Sequence, residues 1–206
     1  MALLARRIGT PLGEMVLAVD EAGAVVALEF CGGRDVDAAL EAIAARDESV
    51  AWSDAAGADV VAQLEEYFRG ERREFDLVLA PRGTAFQHRV WAELRRIPYG
   101  TTISYGELAE HIGETGWKVS RAVGQANATN PIAVVVPCHR VIGADGTLTG
   151  YAAGLSFKAK LLALEGALAP DALVPPGAMR VRETARAGAR KSAHDPAEQA
   201  ELFPRP

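Results

Sequence analysis

The chain has 206 residues, 49% hydrophobic and 24% charged, with a formal net charge of −5. That is an ordinary globular balance, enough for one large domain or two small ones. Two cysteines make no disulfide framework, and no window approaches the roughly 18 continuous apolar residues of a membrane span, so the expectation is a cytoplasmic protein with reduced thiols and no membrane contact.

Residues 14–30 predict a β-hairpin, with 15–19 and 25–30 as strands around a turn at 20–23. Cys31 follows as a small, buried or half-buried residue at the strand end. Residues 35–45 are alanine-rich and helical in character, and Val60, Val61, Leu64 and Phe68 recur at helical spacing before Gly70. Residues 75–79 predict a last strand, and Pro81-Arg82-Gly83 then breaks the pattern.

Thr84 is a plausible N-cap for a helix carrying Phe86, Val90, Trp91, Leu94 and Ile97, stopped by Pro98-Tyr99-Gly100. Ser104 with Glu107 forms a capping box for a short helix over about 105–112. After the turn at 113–116, a third helix spans about 117–128. Two short helices across a glycine-containing turn give a helix-turn-helix signal, which also occurs in proteins that never touch DNA. The third helix carries Ala122, Gly124, Ala126 and Ala128, small enough for close approach to a partner, and Arg121. A lone helical Arg is usually a solvated charge; in a recognition helix it could contact phosphate or enter the base stack.

The apolar run 132–136 predicts a buried strand, ending at Pro137-Cys138-His139-Arg140-Val141. A small-residue loop over 148–155 carries Tyr151, and a final helix covers 156–165. Residues 167–206 are rich in Ala, Pro and Arg and read as a mostly disordered tail, with one short helix at about 179–191. Charge follows this division. Residues 1–79 carry −9, residues 80–168 +3 and residues 169–206 +1. Only the second part suits a polyanion, and weakly.

Cys138 and His139 are the natural focus of chemistry, because a thiolate is a strong nucleophile and an imidazole is its usual activator. In an extended segment neighbouring side chains point to opposite faces, so direct contact would need a turn or a bridging water. A base also needs a group to orient it, and Glu165 is a candidate. The bland alternatives are a buried thiol and a solvated helix carboxylate.

The segment Pro137-Cys138-His139-Arg140-Val141, preceded by Asn130-Pro131, resembles the active-site signature of O6-alkylguanine-DNA alkyltransferases, the methylated-DNA–protein-cysteine methyltransferase family. Ile103-Ser104-Tyr105, Arg121-Ala122-Val123-Gly124, Thr149-Gly150-Tyr151, Gly154-Leu155, Lys158, Leu161-Leu162 and Glu165-Gly166 fall in family order and spacing. The resemblance is specific over about 84–166 and looser over the N-terminal part, where Thr10-Pro11-Leu12-Gly13 and the hairpin look like the family's small domain.

The resemblance implies an α/β (α+β) fold: a small ribonuclease-H-like domain over 1–80, structural, and a helical, winged helix-turn-helix-like domain over 81–168 for DNA binding and alkyl transfer. The tail, 169–206, lies outside it. Cys138 would take the alkyl group from O6 of guanine, with O4 of thymine left open. His139 would act on the thiol through a water, and Glu165 would orient His139. Asn130 would brace the turn before Cys138. Tyr105 would donate to the guanine ring as negative charge develops, and Arg121 would fill the space left by the flipped nucleotide. Tyr151 would wall the pocket, and the carbonyls of Cys138 and Val141 would read the guanine amino group.

Ala152 stands where some members have Ser, so its backbone N–H would serve at O6, and Ala153 replaces a frequent Gly. Some members bind zinc, but Cys31, His88, His111 and His194 are scattered without ligand spacing, so no metal and no cofactor is expected. The implied partner is double-stranded DNA carrying O6-alkylguanine, met by a monomer. Two other readings stay open on the residues: a non-catalytic lesion binder, against which Cys138 argues, and a Cys/His hydrolase or peroxidase, which would need turnover.

Overall fold

The computed structural model describes residues 2–32, 35–45, 49–115 and 117–168. They form two compact units. The described residues up to Arg82 with Pro131–Val135 make the first, and those of Gly83–Asn130 with 136–168 make the second.

The first unit is built on a four-stranded sheet of β1 (Ala2–Thr10), β2 (Gly13–Val19), β3 (Val25–Phe30) and β4 (Ser49–Trp52), in the order β3-β2-β1-β4. The β1/β2 and β2/β3 pairs are antiparallel, whereas β4 runs parallel to β1 with Ala2 opposite Ser49. Helix α1 (Val36–Ala44) starts on Asp35, whose carboxylate accepts from the Ala38 N–H. It buries Val36, Ala39 and Ile43 against Leu3, Val16, Ala18 and Val26. Helix α2 (Ala58–Phe68) packs against β1 and buries Val60, Leu64 and Tyr67.

Two expected strands are not strands. Over 75–79 only Leu79 bridges β3, at Val25, while Val78 is 62% exposed. Over 132–136 only Ile132 bridges, at Leu28. The run then turns at Val134, whose φ is +72° and whose neighbours close a tight turn through Val135 N–H donating to Ala133 O. An unbroken apolar run reports burial, not pairing, and Val134 is 1% exposed. A β-branched residue at positive φ costs of order 1–3 kcal/mol, here against the burial of that side chain.

The second unit is helical: α3 (Ala85–Arg95), α4 (Tyr105–His111), α5 (Trp117–Ala128) and α6 (Leu155–Leu164). Thr84–Gln87 and Ser104–Glu107 form the two capping boxes. A two-residue parallel pair, β5 (Ile103–Ser104) with β6 (Val141–Ile142), sets Ser104 opposite Ile142. This pairing brings the first residue of α4, Tyr105, to the segment that follows Cys138. The Trp91 indole N–H donates to Ala126 O at 2.9 Å and fixes the end of α5 to α3. Ala167 and Leu168, where the expected tail begins, are instead buried at 0% and 1% exposure in a cluster with Ile142, Ala159 and Leu162; the rest of that tail and its short helix lie outside the described residues. Among those described, no helix is long and apolar enough to cross a membrane.

Candidate active site

Cys138 does not sit on an extended segment. Pro137 adopts φ −82°, ψ 62°, with the Cys138 N–H donating to Val136 O at 2.8 Å, and Cys138–Arg140 follow as one 3-10 turn. The tight turn changes the expected opposition of Cys138 and His139, since three residues per turn replaces strict alternation. Cys138, His139 and Arg140 are all buried.

Asn130, just beyond the end of α5, donates its Nδ2 to Val136 O at 2.8 Å and so braces the turn. Burial pushes the Cys138 thiol up, and Asn130, the Lys158 charge and the backbone N–H groups of Cys138 and His139 pull against it. The resting group is therefore a thiol held beside the means of removing its proton.

Those means are assembled from the 3-10 turn itself and the end of α6. His139 Nε2 lies 2.8 Å from Glu165 Oε1, with both side chains fully buried. Arg140 grips the same carboxylate through Nε to Oε2 and Nη2 to Oε1, each at 2.8 Å, while its Nη1 donates to Ile97 O at 2.6 Å. Burial alone would raise the Glu165 carboxyl, but His139 and Arg140 hold it well below the usual carboxylate range. For His139, burial outweighs the opposing pull of Glu165 and lowers the imidazole. The ring is neutral. Its Nε2–H donates to Glu165, and Nδ1 keeps the lone pair. That Nδ1 is buried and has no hydrogen-bond partner within the described residues.

Tyr105 Oη donates to the carbonyls of Thr149 at 3.3 Å and Gly150 at 3.5 Å. Burial pushes its phenol up. Tyr151 is pushed up further, by burial and then by Cys138 and Glu165, and its buried hydroxyl has no partner within the described residues. The Val141 carbonyl accepts from Lys158 Nζ. Ala152 is exposed on the small-residue loop and Arg121 is exposed on α5. Cys138, His139, Glu165, Asn130, Tyr105, Val141 and Tyr151 thus belong to one cluster of side chains and carbonyls in the second unit; Arg121 and Ala152 are exposed elsewhere in that unit.

Three contributors escaped the sequence reading. Arg140 stood inside the motif, but nothing local says that it shares Glu165 with His139. Lys158 is wholly buried and also donates to Thr149 O at 2.8 Å; burial lowers it to about 8. The signal was available, because Lys158 lies three and four residues before Leu161 and Leu162, on the apolar side of α6. Asn127, 3% exposed, donates its Nδ2 to Cys138 O at 3.4 Å. Among the described residues no group of three His, Cys, Asp or Glu is placed to hold a metal ion.

Comparison with known proteins bears on the same residues. The family model described as 6-O-methylguanine DNA methyltransferase, DNA binding domain, matches residues 85–167. The ribonuclease-like domain of the same methyltransferase matches residues 4–81. A methylated-DNA–protein-cysteine methyltransferase of Methanosarcina acetivorans is 62% identical over 104 residues, which is 50% of this chain and 65% of that protein. One from Mycolicibacterium paratuberculosis is 60% identical over 116 residues, 56% of this chain and 69% of that protein. Mycobacterium tuberculosis O6-methylguanine methyltransferase superposes with a TM-score of 0.70 at 43% identity, covering 82% of this chain and 95% of that one. A Mycobacterium tuberculosis OGT in complex with DNA gives a TM-score of 0.68 at 42% identity, covering 81% and 93%. With a mixed sheet unit, a helical unit, and the cysteine–histidine–glutamate cluster in the matched segment, the chain belongs to the O6-methylguanine-DNA methyltransferase family.

Proposed function

We propose that this protein repairs double-stranded DNA by moving an alkyl group, typically methyl, from O6 of guanine to its own Cys138. The reading makes it a methylated-DNA–protein-cysteine S-methyltransferase that acts once per molecule, as a monomer in the cytoplasm. The first unit is structural, and the second carries DNA binding and transfer. The observation that supports it most is the buried neutral His139, oriented by Glu165 through Nε2 and left with an unpartnered Nδ1, in the same 3-10 turn as the thiol.

A target carbon inside the duplex is reached only by extruding the base, at a cost of a few kcal/mol. Arg121, exposed on α5, offsets part of that cost by occupying the gap. Cys138 Sγ then attacks the alkyl carbon as the bond from carbon to O6 breaks. The thiol proton passes through a water to His139 Nδ1, and the imidazolium that forms is stabilised by Glu165. Negative charge moves onto the purine, where Tyr105 supplies a hydrogen bond. The product is a thioether, which water does not readily cleave, so the cysteine is consumed.

The test is mass measurement after incubation with duplex DNA bearing labelled O6-methylguanine. One methyl mass at Cys138, at most one per protein, and none for Cys138→Ala is the expected result. Turnover without a stable adduct would establish a hydrolase instead, and tight binding without transfer a lesion binder. Arg121→Ala should slow repair in duplex more than reaction with free O6-benzylguanine; equal losses on both would remove Arg121 from base extrusion.

A further inference from the structure

α5 carries two asparagines, Asn127 within it and Asn130 just past its end, three residues apart. Both aim side-chain amides at the reactive turn. Asn130 Nδ2 holds Val136 O, before Pro137, and Asn127 Nδ2 holds Cys138 O, after it. The Cys138 carbonyl also accepts from the Val141 N–H.

Asn127 also neighbours Tyr105. Gly124, one helical turn before Asn127, faces the Tyr105 ring closely enough that a Cβ there would lie 3.9 Å from Cδ1 and Cε1. Burial pushes the Tyr105 phenol up, and side-chain hydrogen bonding with Thr149 and Asn127 opposes that shift.

The other half of the amide is idle. Asn127 is 3% exposed, and its Oδ1 is buried with no hydrogen-bond partner within the described residues. A buried acceptor without a donor is unfavourable, and an apolar side chain of similar volume would avoid that cost. The amide is therefore better explained by what its N–H groups hold than by packing.

We infer that Asn127 is a positioning residue for alkyl transfer: its amide ties α5 to the Cys138 carbonyl beside Tyr105, fixing the reactive turn and, by bearing on the Tyr105 hydroxyl, sharpening it as a donor. A phenol whose oxygen accepts a hydrogen bond gives its own proton more strongly, because bonds in a chain polarise one another. This rests on the reading of the site as an alkyltransferase centre, and assigns Asn127 to the chemical step rather than to DNA affinity.

Asn127→Leu and Asn127→Ala separate this from a structural role. In single-turnover transfer from free O6-benzylguanine and from duplex O6-methylguanine, Asn127→Leu should lower the saturating rate constant on both substrates by about fivefold to tenfold, the size of one buried hydrogen bond. Half-saturating concentration should stay within about twofold, and the thermal midpoint should not fall. A midpoint that drops in Asn127→Leu while the saturating rate is kept would overturn the assignment. Should Asn127→Leu fail to fold, Asn127→Ala carries the same kinetic test.

Tyrosine-labelled NMR titration, assigned with Tyr105→Phe, does not depend on activity. The Tyr105 phenol should titrate higher in either variant than in the native chain, and an unchanged titration refutes the link. If the native protein transfers no alkyl group, the alkyltransferase reading fails by itself, and the titration still decides whether Asn127 acts on Tyr105.

Discussion

Glu165 holds a guanidinium and an imidazole with one carboxylate. Arg140 takes it by two parallel hydrogen bonds, and His139 shares one of the same oxygens. Glu165→Gln therefore removes the counter-charge of a buried arginine and the group that fixes the His139 tautomer. Breaking a buried pair from one side costs about 3–5 kcal/mol, which chemical denaturation will show as a lower midpoint. Losing the oriented base should slow single-turnover transfer by roughly 10²- to 10⁴-fold. His139 is lowered from the ordinary 6.5 by burial, so the transfer rate should stay level as pH falls through 6.5 and decline only below it. A titration step at or above 6.5 in the rate profile would place the base on another group. The identities of these residues were legible in the sequence, since Cys138, His139 and Arg140 are consecutive. That one distant carboxylate serves two of them was not, because only folding brings residue 165 to residues 139 and 140.

The elements around the site are set by local chemistry and joined by a few long-range contacts. The Thr84 N-cap and the Ser104–Glu107 capping box were readable because a hydroxyl, joined at Ser104 by an acid three residues later, satisfies the first backbone donors of a helix; that Gln87 completes a box at Thr84 came from the structure. The β5/β6 pair was not, because two residues per strand leave no periodicity to read. Between α3 and β5, Gly100 closes the turn at φ +74°, and its N–H faces Glu165 Oε2 at 3.3 Å. A Cβ at Gly100 would lie 2.8 Å from the Glu165 backbone carbonyl, which cannot swing aside as a side chain can. Gly113 has a similar φ of +77° with nothing within 4 Å of a Cβ. Both glycine-to-alanine changes incur the strain of positive φ, about 1–2 kcal/mol. Gly100→Ala should lose more stability than Gly113→Ala and should also slow transfer by displacing Glu165. Equal thermal shifts, with transfer intact in both, would show that the turn gives way.

For the molecule as a whole, the buried cluster links stability to pH. The folded Glu165 carboxyl lies well below the ordinary 4.5, so its contribution is present above 4.5 and is lost as pH falls through the folded value. The lowered His139 acts in the same direction, since the unfolded chain takes up its proton first as pH falls below 6.5. Urea unfolding at pH 7, 5.5 and 4 should therefore show stability falling with pH. A native protein equally stable at all three values would contradict the linkage. Caps, helical periodicity and a contiguous motif are properties of neighbours along the chain, which is why the hairpin, most of the helices, the candidate cysteine and the family are legible in the residues alone. That the apolar run at 132–136 turns at Val134 instead of pairing as a strand emerged from folding, since unbroken hydrophobicity encodes burial without encoding partners. Folding also decided which buried polar groups meet. Arg140 and Asn127 could be placed only by the carboxylate and carbonyl that folding set against them, and for Lys158 helical spacing signals burial while folding supplies the two carbonyls it holds.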